Sequence, residues 1–112
     1  MKTLSASIAA GETGSLITLS GSVDITNLAE LSEVLADPRV DGTLHLTIDA
    51  SGLSSADSMA TRALALTGKI LKQRGGGMVL LDPQQPVVRM LELTGADQMM
   101  TIRQENGIAT EP

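Results

Sequence analysis

Residues 44–81 decide the fold, and they read LHLTIDASGLSSADSMATRALALTGKILKQRGGGMVLL. Apolar and polar residues alternate over 44–49, which predicts a strand that ends at Asp49. Helically spaced apolar residues over 58–74 predict a helix, and the apolar run 78–81 is typical of a buried strand. The stretch is therefore predicted to form a β-α-β unit with parallel strands and a right-handed crossover.

The helix predicted over 58–74 is the clearest element of the chain. Three glycines at 75–77 follow it, and we expect them to form its C-cap and the turn into the next strand. The segment 50–57 before it is expected to be a small polar loop. At about 100° per residue, the apolar positions fall on one arc: Met59, Ala60, Ala63, Leu64, Leu66, Ile70 and Leu71. The opposite side carries Ser58, Arg62, Ala65, Lys69 and Lys72.

Two strands and a helix are predicted before this unit. A glycine-containing turn at 11–14 joins apolar stretches at 4–9 and 16–19, which indicates a hairpin. Thr26 or Asn27 can cap a helix that carries apolar residues at helical spacing over 28–35. Pro38 is expected to end that helix.

A short helix over 87–93 and a last strand over 99–102 are predicted after the unit, and the polar segment 104–112 is expected to be frayed or shortened. The element order is then β-β-α-β-α-β-α-β. This order predicts a single α/β domain over 1–112 with a mixed sheet of about five strands and helices packed mainly on one face.

Composition disfavours several classes of function. The 112 residues carry 8 basic and 13 acidic side chains, a net charge of −5 that disfavours nucleic acid and anionic membranes. The chain has no aromatic residue to stack on bases and no cysteine for disulfides, thiolate chemistry or metal binding. No apolar stretch is long enough for a signal segment or a membrane span. We therefore expect a cytoplasmic protein with no nucleic-acid or membrane partner.

Catalytic patterns are weak in this sequence. The only histidine, His45, lies in a predicted strand, where a structural role is the commoner one. Ser58, His45 and Asp49 supply the residue types of a triad, but no G-x-S-x-G motif surrounds the serine. The glycines at 75–77 lack the Lys-Ser/Thr of a phosphate-binding loop. We predict that the chain is not an enzyme and uses no cofactor.

Three carboxylates raise a second chemical possibility. Asp24, Asp49 and Asp57 lie after predicted strands or at predicted helix starts, where loops often collect at one rim of an α/β sheet. A phospho-aspartate receiver would hold Mg²⁺ at such a rim, but it needs an acidic pair after its first strand, and here the chain reads Ala9-Ala10-Gly11. We predict no metal site, and each aspartate has an alternative role in a cap or turn.

Ser58 is the most informative position. It begins the predicted helix and faces away from the apolar arc. One interpretation is that Asp57 or Ser58 only caps the helix. The other is that a partner phosphorylates the exposed hydroxyl, which adds about −1.5 to −2 charges at a helix end that tolerates an anion. Arg62, one turn later, could partly pair with the phosphate.

From Leu19 onward the chain resembles the anti-sigma factor antagonists, the small bacterial members of the STAS family. The resemblance covers about three quarters of the chain, and five short motifs carry it in the family's order. They are Leu19-Ser20-Gly21-Ser22-Val23-Asp24, Leu46-Thr47-Ile48-Asp49-Ala50-Ser51-Gly52-Leu53, Asp57-Ser58, Gly75-Gly76-Gly77-Met78-Val79-Leu80 and Pro86-Val87-Val88-Arg89-Met90-Leu91-Glu92-Leu93-Thr94-Gly95.

The resemblance implies a partner switch. In the family an ATP-dependent anti-sigma kinase phosphorylates the serine at the Ser58 position, the unmodified antagonist binds that kinase and frees a sigma factor, and a serine phosphatase resets the switch. Asp24 matches a loop position beside the phosphorylated serine. The partner-binding surface implied for this chain comprises Asp24, Asp57, Ser58, Met59 and Arg62. The oligomeric state is left open.

The sequence departs from the family's pattern around the serine. Met59 stands in place of a second serine and Ala60 in place of a glycine. Ser55-Ala56 and Thr61-Arg62 also replace the usual residues. An alternative hypothesis therefore keeps the STAS fold without the switch, as a constitutive subunit of a sensory or lipid-transport complex.

Overall fold

A computed structural model describes residues 3–105 as one sheet with helices against it. The strands are β1 Leu4–Ala10, β2 Ser15–Val23, β3 His45–Ala56, β4 Gly77–Leu81 and β5 Thr101–Arg103. The helices are α1 Leu28–Leu35, α2 Pro38–Asp41, α3 Ser58–Gln73 and α4 Gln85–Thr94, and a 3₁₀ turn covers Ala96–Met99. No helix within 3–105 is both long and apolar enough to cross a membrane.

The sheet has five strands in the order β1-β2-β3-β4-β5. β1 and β2 form the predicted antiparallel hairpin, and β2 through β5 are parallel, so the predicted mixed sheet is confirmed. Alternate strand residues are buried on the face that the helices cover, while their neighbours on the other face are exposed or half-buried. The largest fully buried side chains of this core are Ile17, Leu19, Leu31, Leu46, Ile48, Leu53, Leu64, Leu80 and Leu91.

The prediction that β3 ends at Asp49 and that 50–57 is a loop is wrong. The strand continues to Ala56 and pairs with β2 up to Val23, so β2 also extends beyond its predicted end. Two register shifts interrupt the pairing, between Thr18 and Ser20 and between Gly21 and Ser22. These bulges change the alternation of buried residues, so the small polar segment 50–57 shows no strand period although it forms a paired strand.

Asn27 and Pro38 lie on either side of α1, as predicted. Asn27 lies at the N-cap of α1, but its side chain makes no cap hydrogen bond. Pro38 follows the end of α1 at Leu35 and occupies the first turn of α2, a position that proline tolerates well. Asp37 caps α2, and the hydrogen bond from the Arg39 guanidinium lowers the pKa of the Asp37 carboxyl.

The buried face of α3 is turned relative to its predicted arc. Ala60 and Leu64 are buried as expected, but Met59, Leu66 and Ile70 are 42%, 59% and 37% exposed. The buried side instead includes the polar Thr61 and Gly68. A Cβ on Gly68 would lie 2.2 Å from the carbonyl oxygen of Met99, so this glycine lets the 3₁₀ turn contact the helix. That close contact places Gly68 on the covered face of α3.

The three glycines after α3 act as predicted. Gly75 has φ +92°, and the backbone N–H of Gly76 donates to the carbonyl of Leu71 at 2.8 Å. The N–H of Gly75 donates to Lys72, which completes a Schellman C-cap. A Cβ on Gly76 would lie 1.7 Å from the carbonyl oxygen of Leu44, so only glycine fits between α3 and the start of β3.

The C-terminal elements differ in detail from their predictions. The last strand begins at Thr101 instead of residue 99, because Ala96–Met99 forms a 3₁₀ turn. The sequence predicts a frayed or shortened segment over 104–112. Its first two residues are held in place, since Gln104 donates to the carbonyl of Pro83 at 3.1 Å and the N–H of Glu105 donates to Asp82 at 2.6 Å. Residues 106–112 of that prediction lie outside the described residues.

Candidate functional site

The ends of β2 and β3 bring two parts of the predicted site together. Val23 and Ala56 are paired as the last residues of these strands, and the N–H of Asp57 donates to the carbonyl of Val23 at 3.1 Å. Neighbouring strands lie about 4.8 Å apart. Asp24, which follows β2, is therefore beside Asp57 and the start of α3, as expected for a shared surface.

A network of hydrogen bonds holds the loop between β2 and α1. The Asn27 side chain accepts from the N–H of Asp24 at 2.9 Å and donates to the carbonyl of Ser22 at 3.0 Å. The Asp24 carboxylate accepts from the N–H of Thr26 at 2.8 Å and from its hydroxyl. Asn27 is only 4% exposed, so it is a buried anchor that positions the loop. Asp24 thus shapes the loop as well as lying beside Ser58.

Asp57 is the N-cap of α3, and Ser58 is the first helical residue. The Asp57 carboxylate accepts from the backbone N–H of Ala60 at 2.9 Å, so the structure assigns the capping role to Asp57. Ser58 is exposed, and its hydroxyl has no hydrogen-bond partner within residues 3–105. Its side chain is therefore free to meet another molecule.

Thr61 anchors the first turn of α3 beneath the serine. Its side chain is fully buried, and its hydroxyl donates to the carbonyl of Ser58 at 3.0 Å. The Thr94 hydroxyl lies 3.3 Å from that of Thr61, which ties the end of α4 to the same turn. The buried Thr61 thus fixes the backbone of Ser58, while the Ser58 hydroxyl remains exposed to solvent.

Removing the cap gives a first test of this geometry. We expect Asp57→Ala to lower the free energy of unfolding by about 1 kcal/mol, because the N–H of Ala60 loses its acceptor. Chemical denaturation checks the value. Asp57→Ser, which keeps a capping oxygen, is the matched control and should lose much less. An equal loss in both variants would contradict the capping role.

Two exposed apolar side chains flank the site. Ile25, at the tip of the β2–α1 loop, is 72% exposed, and Met59, next to Ser58, is 42% exposed. The family resemblance predicts Met59 as a surface residue of the site but does not predict Ile25. The available signal for Ile25 was an isoleucine inside the polar turn Asp24-Ile25-Thr26-Asn27, which no strand or helix period explains.

Arg62 lies one turn after Ser58 on α3 and is exposed. Residues four apart on a helix are neighbours, with Cβ atoms about 6 Å apart. Arg62 forms no salt bridge with the residues described. The predicted residues Asp24, Asp57, Ser58, Met59 and Arg62 therefore lie on one rim of the sheet, with Ile25 among them.

The alternative catalytic residues are not brought together. His45 begins β3 and Ser58 follows its end, and this 12-residue strand spans roughly 35 Å. Asp49 lies in the middle of β3, where it accepts from the N–H and hydroxyl of Ser51, so it does not join the rim as predicted. Residues 3–105 contain no group of three metal-ligating side chains placed to hold an ion. Neither the triad nor the receiver arrangement is assembled.

A comparison against known protein families identifies the domain. The family model for the STAS domain matches residues 7–108. This chain is a STAS domain. The match covers both strands of the rim and all of α3, and it confirms the family indicated by the five sequence motifs.

Individual relatives extend this result. This STAS domain is 27% identical over 88 residues to an anti-sigma-B factor antagonist of Staphylococcus aureus, covering 79% of this chain and 82% of the relative. Its structure is similar to that of an anti-sigma factor antagonist from Mycobacterium paratuberculosis, with a TM-score of 0.78, 21% identity, and 90% and 86% of the two chains covered. The anti-sigma factor antagonist SpoIIAA in its unphosphorylated form gives a TM-score of 0.72 at 16% identity, with 91% and 90% covered. Both solved structures share the fold.

Proposed function

We propose that this STAS domain is an anti-sigma factor antagonist that binds a cognate anti-sigma serine kinase, and that phosphorylation of Ser58 releases it. One observation carries the proposal. Ser58 is exposed at the first position of a well-capped helix, has no hydrogen-bond partner among the described residues, and is followed by the exposed Met59. The exposed Ile25 follows Asp24 in the loop after the neighbouring strand β2. The name of the Staphylococcus aureus relative supports the same function.

The surface around Ser58 has the composition of a small protein interface. Ile25 and Met59 supply apolar area that a partner can cover, while Asp24 and Arg62 supply charges at its border. Interfaces gain most of their affinity from a few well-buried central side chains surrounded by polar groups. The fixed loop around Asn27 lowers the cost of ordering this surface on binding.

A phosphate on Ser58 would change this surface without disturbing the core. The group adds about −1.5 to −2 charges beside Asp24 and Asp57, in a chain that already carries −5. A helix N-terminus tolerates an anion, and Arg62 lies on the same helix face to pair with it partly. Inside a contact, however, the added charge must lose water or meet like charges, which costs several kcal/mol. Binding is lost while the fold is kept.

The experiment that tests the proposal starts with the partner. Immobilised Ser58→Ala protein should capture an ATP-dependent serine kinase from a lysate of the source organism, and immobilised Ser58→Asp protein should not. The purified kinase and ATP should then transfer one phosphate to the wild type, at Ser58 by mass spectrometry, and none to Ser58→Ala. Phosphate on Ser58→Ala, or none on the wild type, would count against the switch.

The apolar part of the surface has its own test. Ile25→Ala should weaken binding of that kinase at least about fivefold, because a central apolar contact contributes more than about 1 kcal/mol. Leu44→Ala is the matched control, since Leu44 is 46% exposed at the far end of β3 and should not alter binding. Isothermal titration calorimetry measures both. Equal affinities for the two variants would remove Ile25 from the interface.

The remaining parts of the switch follow from the same chemistry. A serine phosphatase would restore the binding form, and the protein would act in the cytoplasm, where ATP and sigma factors are found.

The alternative is a constitutive STAS subunit of a sensory or lipid-transport complex, favoured by Met59 and Ala60 in place of a serine and a glycine. That alternative predicts equal partner affinities for Ser58→Asp and Ser58→Ala.

A further inference from the structure

Within residues 3–105, β1 is an edge strand of the sheet, and no described strand pairs with its outer side. β1 Leu4–Ala10 pairs with β2 on one side in an unbroken antiparallel register. The N–H of Ser22 donates to Thr3, and the N–H of Gly11 donates to Gly14, so the odd-numbered residues of β1 exchange hydrogen bonds with β2. The N–H and C=O groups of the even-numbered residues therefore point outward: Leu4, Ala6, Ile8 and Ala10.

Nothing in β1 protects this edge. Natural sheets guard an exposed edge with charges, proline, bulges or very short strands. The sequence LSASIAA has no charge and no proline, it has no bulge, and it is seven residues long. At the opposite edge, β5 has only three residues and ends at Arg103. The β1 edge is the one suited to pairing with another strand.

The side chains of β1 indicate which strand can pair with its outer edge. We propose that β1 pairs antiparallel with β1 of a second copy, around a two-fold axis at Ser7. In this register Leu4 faces Ala10 of the second copy and Ile8 faces Ala6, so each large side chain meets a small one. All four outward residues then form hydrogen-bonded pairs, which makes eight backbone hydrogen bonds.

Charge agrees with the same register. Copies with a net charge of −5 repel each other in general, but β1 itself is neutral. A register centred on Ser7 brings no like charges together within β1, because residues 4–10 carry no charge. A two-fold axis requires a self-complementary surface.

The paired copies would form a continuous ten-stranded sheet, since each copy supplies five strands. The Ser58 surface is at the end of β3, two strands away from the edge, and remains open in the dimer. Because the two β1 strands run in opposite directions, the two Ser58 surfaces would lie at opposite ends of the assembly. The dimer would therefore present two separate partner-binding sites.

Cross-linking tests the register directly, because the chain has no cysteine. Ser7 would form a non-hydrogen-bonded pair with Ser7 of the second copy, with Cα atoms about 4.5 Å apart, within reach of a disulfide. Ser7→Cys should cross-link almost completely under mild oxidation. Ser5→Cys, the matched control, faces Ala9 of the second copy and should cross-link at least about tenfold more slowly. Equal rates for the two variants would overturn the register.

Sedimentation velocity over a concentration series of up to about 500 μM tests the dimer itself. The wild type should show a concentration-dependent shift from the 11.6 kDa monomer to a species of twice that mass. Ala6→Pro removes an outward N–H and should raise the dimer dissociation constant at least tenfold, whereas Thr101→Lys on β5 should not. A wild type that stays monomeric, or a dimer unaffected by Ala6→Pro, would overturn the proposal.

Discussion

A Ser58→Asp variant is expected to bind the proposed anti-sigma partner at least about a hundredfold more weakly than the wild type, which corresponds to about 2.7 kcal/mol. The aspartate places one negative charge at the start of α3, beside the carboxylates of Asp24 and Asp57. In the free protein that charge is hydrated and lies at a favourable helix end. In the complex it must be desolvated or brought near like charges, so the penalty falls on binding alone. Isothermal titration calorimetry with the purified partner measures the change.

Ser58→Asn is the matched control, because it has nearly the same size as aspartate and carries no charge. We expect it to bind within about threefold of the wild type and Ser58→Ala to do the same, since an exposed hydroxyl contributes little to affinity. All three variants should keep the thermal unfolding midpoint within a few degrees, because the Ser58 side chain is exposed and forms no hydrogen bond within residues 3–105. Equal losses in the Asp and Asn variants would show that shape and not charge causes the effect.

Leu64→Ala is expected to lower the free energy of unfolding by about 2–5 kcal/mol, the range for removing a large side chain from a packed core. Leu64 is 1% exposed and packs in the core from the middle of α3. Because a small domain is stable by only about 5–15 kcal/mol, this change is a large part of the total. Equilibrium denaturation by urea, followed by far-UV circular dichroism, measures it.

Leu66→Ala is the control on the same helix. Periodicity alone places Leu64 and Leu66 on one apolar arc, but Leu66 is 59% exposed. We expect its replacement to change the free energy of unfolding by less than about 0.5 kcal/mol. Comparable losses at both positions would contradict the observed rotation of α3.

The sequence predicts most of the fold because its strongest signals are local. The alternation in 44–49, the helical spacing in 58–74 and the glycines at 75–77 are each satisfied by short-range geometry, and all three elements are confirmed. The extension of β3 to Ala56 was missed because two bulges break the alternation. Such bulges depend on pairing with β2 and leave no period in a single strand.

The rotation of α3 was missed for a related reason. Which face of a helix is buried depends on what packs against it, and here Gly68 admits the carbonyl of Met99 from the 3₁₀ turn. Periodicity counts apolar residues and gives no weight to a glycine or to the buried Thr61. The buried face of α3 therefore depends on distant segments of the chain, which the local periodicity does not contain.

Some residues of the candidate site could be predicted from local sequence, and others depend on distant segments of the chain. Ser58 could be predicted from its place at a helix start and from a family motif, and Asp57 as a cap follows from the general preference for aspartate. Ile25 has only a weak sequence signal, an isoleucine inside a polar turn, because its exposure depends on the loop that Asn27 holds. The separation of Asp49 from Asp24 and Asp57 was also missed, since it follows from the true length of β3.

The most direct test of the central claim is the partner's dissociation constant for the same protein with and without phosphate on Ser58. Stoichiometric phosphoserine at position 58 should weaken binding about a thousandfold, equivalent to about 4 kcal/mol, with an unchanged far-UV circular dichroism spectrum. Affinities within a factor of about three for the two forms would contradict the account. So would a phosphorylated protein that fails to bind because it has unfolded.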